Sequence, residues 1–177
     1  MARLIGLPAS SLVSRICKPS QADDTGRVEA GAFELRAAKE DRPLERALSV
    51  YWLEYLVSSE HIDVKLTALR EYRANPPSAL PEISAKKTAW FVTLQVGRVE
   101  TAVAPLDVLF RCQHDPRSDY SLCHCDEAGF VGRVGPLSAE QALMDPHSLI
   151  WAMPEDGPLE FAVRVHLAEL VEHVAHV

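Results

Sequence analysis

Cys112, His114 and Asp115 lead into a polar stretch that ends in Cys123, His124 and Cys125, and no other part of the chain crowds so many chemically competent side chains together. Thiolates and imidazoles are the ligands that Zn²⁺ prefers in a tetrahedral site, so Cys112, His114, Cys123 and Cys125 form one candidate metal set. Familiar structural zinc sites space their ligand pairs by about two to four residues, where a turn aims both side chains at one ion. Here Cys112 and His114, like Cys123 and Cys125, are separated by one residue, which in a strand puts both on the same face. The alternative is that Cys112 and one of Cys123 or Cys125 are small buried hydrophobes. No motif calls for a cofactor, and zinc is the one ion this set would suit.

Without the cysteines, His114 and His124 read as an acid-base pair, since imidazole changes charge near neutral pH, with Asp115 orienting one ring. Arg111 and Arg117 would accompany them if the substrate were anionic. Glu169, Glu172, His173 and His176 fall within an arc of about 100° if residues 159–177 are one helix. A helical Glu and His one turn apart can chelate a metal, and the same residues also make an ordinary wet helix face. There is no Gly-x-Ser-x-Gly, no Gly-rich loop before Lys-Ser/Thr and no His-Glu-x-x-His.

The elements that would position these residues follow from spacing. Trp90 to Val96 alternates as a strand with Val92, Leu94 and Val96 on one side, 108–112 is a second strand and 129–134 a third. Between them, 113–128 is a long polar connection, and long loops in compact domains are often functional. Phe33 and Leu35 alternate like a short strand, while 48–57, with Tyr51, Trp52 and Tyr55, mixes both periods and favours neither. Ile62, Leu66, Leu69 and Tyr72 share a helical face behind the capping residues Ser58 and Ser59, and Pro76 and Pro77 end that helix. Ser138 and Gln141 form a capping box for a short helix over 139–144. Leu159, Val163, Leu167, Leu170, Val174 and Val177 predict a long amphipathic C-terminal helix over 159–177. Strands and helices do not alternate regularly, so the expected fold is a single α+β domain over 1–177 with a mainly antiparallel sheet.

The chain has 177 residues, enough to bury a core without disulfides, and no apolar run approaches the length of a membrane span. We therefore expect a cytoplasmic protein with no membrane partner. Its net charge of -7 is unevenly placed: residues 101–177 carry 4 Lys plus Arg against 12 Asp plus Glu, whereas the first hundred residues are close to neutral. That acidity, with no basic run, argues against nucleic acid as a partner. The same third holds six of the seven histidines and three of the four cysteines, which concentrates the search for chemistry there.

The stretches Ala32-Phe33, Leu48-Ser49-Val50-Tyr51-Trp52-Leu53-Glu54 and His114-Asp115-Pro116, with His124 shortly after, resemble a loosely defined group of small bacterial proteins without an assigned activity. The resemblance implies that Phe33, Ser49, Trp52, His114, Asp115, Pro116 and His124 gather around one site. In that group the second histidine follows a small polar residue, whereas Leu122 and Cys123 precede His124 here. The functional expectation is an accessory protein that recognises a protein partner through its aromatic segment or its acidic C-terminal third. The alternatives are a small hydrolase or transferase using His114, Asp115 and His124, and a zinc-stabilised domain.

Overall fold

The computed structural model describes residues 5–35, 46–74, 88–115, 123–125, 131–133 and 145–177, with backbone alone at 5, 123–125 and 131–133. In chain order the strands are β1 (Ile5–Gly6), β2 (Leu12–Cys17), β3 (Ala47–Trp52), β4 (Trp90–Gln95), β5 (Arg111–His114), β6 (Cys123–Cys125), β7 (Val131–Arg133), β8 (His147–Trp151) and β9 (His173–His176). The α-helices are α1 (Leu53–Leu56), α2 (Ile62–Ala74), α3 (Val96–Ala102) and α4 (Gly157–Glu169). Seven strands make one sheet in the order β1-β5-β8-β3-β2-β4-β9, and β6 and β7 pair with each other. Every pairing is antiparallel. The fold is α+β, as the irregular alternation of strand and helix patterns requires.

Strand pleating sends alternate side chains to opposite faces, and here both faces are covered. On one face Val13, Val50, Val92, Leu94 and Ile150 pack with Val99 of α3 and Val163 and Leu167 of α4. On the other, Tyr51 and Phe91 pack with Leu66 and Leu69 of α2 and with Leu53 of α1. Strand β4 is accordingly buried along nearly its whole length, which is why it reads as a continuous apolar run. Among the described residues, no helix is long and apolar enough to cross a membrane.

The C-terminal helix is shorter than its spacing predicts. Helix α4 starts at Asp156, whose carboxylate accepts the Leu159 N–H at 2.8 Å, with Pro158 in the first turn. It closes at Leu170, and His173–His176 then pairs with β4, with Val174 opposite Val92. The edge of β4 offers a row of backbone groups that need partners, and an added strand satisfies them where a continued helix would not. Leu170 and Val174 still pack on the core, so the apolar spacing was real but compatible with both conformations. Glu169, Glu172, His173 and His176 therefore do not share a helical face. At the outer edge of β9, the Arg70 guanidinium of α2 donates to the His176 carbonyl, which covers part of an otherwise open strand edge.

Smaller differences have local causes. Residues 30–33 form a 3-10 turn rather than a strand, seating Phe33 in the core. The 48–57 stretch divides into β3 and α1. The strand expected over 108–112 lies at Arg111–His114, and the polar connection 113–128 contains β6. The helix expected over 139–144 lies outside the described residues.

Candidate functional site

Strands β3 and β8 and the residue that follows β5 place a polar chain on the face covered by α2. Register sets Tyr51 opposite His147 and Ser49 opposite Leu149, so Ser49 and His147 are diagonal neighbours on one face. The Ser49 hydroxyl lies 2.5 Å from His147 Nε2. On the far side of the ring, Nδ1 lies 2.6 Å from the Asp115 carbonyl oxygen and 3.3 Å from the Asp115 carboxylate. The link is reciprocal, because the Asp115 N–H donates to the His147 carbonyl at 3.0 Å and extends the β5–β8 ladder by one step.

These contacts fix the tautomer of the neutral ring. A carbonyl oxygen only accepts, so His147 Nδ1 carries the proton and donates it. That leaves Nε2 with its lone pair directed at the Ser49 hydroxyl. His147 and Asp115 are only 4% and 3% exposed, whereas Ser49 is half-buried and so retains some access. A buried imidazole with one fixed donor and one free lone pair beside a serine is the arrangement of a general base and its nucleophile.

Further polar groups hold the ring in place. Asp145, 1% exposed, accepts from the His147 N–H at 3.0 Å and from the Tyr72 hydroxyl of α2 at 2.9 Å. The Tyr51 ring meets His147 edge-on with centroids 6.4 Å apart, and its hydroxyl accepts from Arg73 at 2.8 Å. Burial, followed by the nearby Asp145 charge, raises the Tyr55 hydroxyl above the ordinary tyrosine pKa.

His114 and Asp115, adjacent in sequence, serve different sides of the sheet. His114 lies among Trp52 and Tyr55, with ring centroids 5.7 and 4.5 Å away, and its Nε2 meets the Asp145 carbonyl at 2.7 Å. Its Nε2 therefore donates, and the ring is a structural tie rather than the base for Ser49. Burial holds its pKa below the ordinary histidine value, an effect opposed by the Asp145 carbonyl bond and the Asp145 and Asp115 charges. As pH falls through about 6.5 the unfolded chain takes up a proton that the folded chain resists, so this contribution to stability is lost on the acid side. We expect His114→Gln to flatten the loss of stability between about pH 7.5 and pH 5.5, read from urea unfolding midpoints. An unchanged slope would rule out His114 as its source.

Cys112 shares the His114 face but packs into the core at 1% exposure, and burial pushes its thiol strongly upward. Cys17 is likewise buried, its thiol raised to about 11. Both thiols stay protonated and behave as small hydrophobes. The side chains of Cys123, His124 and Cys125, and all of Pro116 and Arg117, lie outside the described residues. Among the described residues, no three His, Cys, Asp or Glu side chains group as a metal site. Of the residues joined by the resemblance, Ser49 and Asp115 meet through His147, Trp52 meets His114 on the opposite face, and Phe33 is a core residue.

Sequence reasoning counted His147 but gave it no role, and Ser49 entered only through the resemblance. Their separation of 98 residues leaves no local motif to find. Comparison of the chain with family models, with curated proteins and with solved structures finds no match.

Proposed function

We propose that this protein is a hydrolase acting by acyl transfer, with Ser49 as nucleophile, His147 as general base and Asp115 as the group that positions the imidazole. The observation that carries this reading is the continuous chain from the Ser49 hydroxyl through His147 Nε2 and Nδ1 to Asp115. Ser49 Oγ adds to the carbonyl carbon of an ester-like substrate while its proton passes to Nε2. The imidazolium so formed is held by the Asp115 carbonyl and carboxylate, then returns the proton to the departing alcohol. Water, deprotonated by the same nitrogen, then adds to the acyl carbon, and the bond to Ser49 Oγ breaks as Oγ takes that proton back, which frees the acid. In this reading the base is His147, whereas the sequence alone suggested the pair His114 and His124. The setting we propose is cytoplasmic, which the two free, buried cysteines Cys17 and Cys112 suit.

A fluorophosphonate, which traps an activated serine covalently, tests the assignment. The full chain should gain one adduct that maps to Ser49, with none at that position in Ser49→Ala and much slower labelling in His147→Gln. A wild-type chain that stays unlabelled, under conditions that label an established serine hydrolase, would remove the nucleophile from the proposal.

Recognition of a protein partner is the second reading. Leu109, 82% exposed at a shallow depression lined by apolar Met153 and Leu159 and by charged Arg46, Asp107 and Glu155, is the observation that favours it.

A further inference from the structure

The face that carries Ser49 continues into a row of donors that the acyl-transfer chain does not use. Register aligns Ser49 with Leu149 and Gln113 across three strands, and the next row along is Ala47, Trp151 and Arg111. Strand spacing puts Gln113 and Arg111 roughly 10–12 Å from Ser49 between Cα atoms. The Trp151 indole N–H donates to Gln113 Oε1 at 2.9 Å, which fixes the ring, and the Arg111 guanidinium lies over that ring at 5.8 Å. A cation–π contact engages the guanidinium through its charge and not through N–H···O bonds, so it leaves the N–H donors available to an acceptor. Arg111 is exposed and has no carboxylate partner among the described residues. With Oε1 engaged by Trp151, the Gln113 amide keeps its NH₂ donors on the same face.

We infer that Arg111, braced by Trp151 and assisted by Gln113, binds a carboxylate at the far end of the acyl group, so that the substrates are esters of dicarboxylic acids. This rests on the acyl-transfer reading for the reaction, but the anion site is separable from it. A planar, bidentate fork matches a carboxylate, and the roughly 10–12 Å between Cα atoms, less the reach of the Arg111 side chain, suits a short acyl chain held between Ser49 and that fork.

The experiment compares a p-nitrophenyl monoester of glutaric acid with the neutral p-nitrophenyl pentanoate on the full chain. Wild type should favour the glutarate monoester in kcat/KM by about tenfold or more, the worth of one charged hydrogen-bonded contact. Arg111→Gln should collapse that ratio and Arg111→Lys should restore part of it. A ratio near unity in wild type, or one that Arg111→Gln leaves unchanged, overturns the inference. Binding of glutarate alone, followed by indole fluorescence with Trp151→Phe as the control, reads the site without turnover. Glutarate that binds wild type but not Arg111→Gln supports the anion site even if no ester is cleaved, in which case the acyl-transfer reading falls by itself. Glutarate that leaves the Trp151 signal unmoved overturns the anion site.

Discussion

His147→Gln is expected to lower kcat/KM on an activated ester by roughly 10²–10⁴-fold, the usual worth of a positioned general base. Glutamine can still donate an N–H to the Asp115 carbonyl, so the local fold has a means of surviving, but an amide cannot take the Ser49 proton. The same assay on His114→Gln should change the rate by less than about tenfold, because His114 Nε2 is committed to the Asp145 carbonyl and its ring lies on the opposite face. Asp115→Asn provides a sharper distinction. The nearer acceptor for His147 Nδ1 is the Asp115 main-chain carbonyl at 2.6 Å, with the carboxylate at 3.3 Å. The main-chain oxygen survives that substitution and keeps the tautomer, so the rate should fall by about tenfold. Where a carboxylate alone orients the ring, the corresponding change lowers kcat by about 10⁴-fold. Equal losses in the His114 and His147 variants would show that neither ring is the base and that both changes act through folding.

The second large effect concerns stability. Asp145→Ala should lower the free energy of unfolding by roughly 2–5 kcal/mol, since it removes the carboxylate that accepts from two donors, and breaking hydrogen bonds to a buried charged group costs about 1–3 kcal/mol each. Those donors are the Tyr72 hydroxyl of α2 and the His147 N–H of β8. The carboxylate therefore ties the helix to the sheet next to the candidate site, and its loss should also loosen the His147 ring. In a chain of this size a destabilisation of about 1 kcal/mol moves Tm by roughly 2–4 °C, so the change is readily measured by thermal or urea unfolding. Asp145→Asn retains an oxygen in place of Oδ1 and should recover most of the lost stability. If the alanine variant unfolds within about 0.5 kcal/mol of wild type, water or a rearranged neighbour satisfies both donors and the tie has no energetic weight.

Several elements could be read from local pattern because their burial is decided locally. Helix α2 presents Leu66 and Leu69 to the sheet at the spacing that marked it in sequence, and β4 was legible from Val92 and Leu94. Helix α4 was overextended for a physical reason. Leu170 and Val174 fit both a helical stripe and a strand approaching the core, and only the free edge of β4 decides between them. At Cys112 the sequence left two readings open, a metal ligand or a small buried hydrophobe. Residue type drew attention to the thiol, but its position opposite Ile150 makes it part of the core.

By itself the sequence determined the α+β class, the antiparallel character, most of helix α2 and the fact that Asp115 belongs to a polar cluster. These follow from alternation, helical periodicity and composition, all of which act over a few residues. The tertiary structure alone decided which histidine meets which partner. Ser49 and His147 come from β3 and β8 and Asp115 directly follows β5, and a shift of one residue in either the β3–β8 or the β5–β8 register would turn one partner to the other face. That register is set by the packing of two opposite hydrophobic faces against α2 on one side and α3 and α4 on the other, a property of the assembled sheet that no short segment contains.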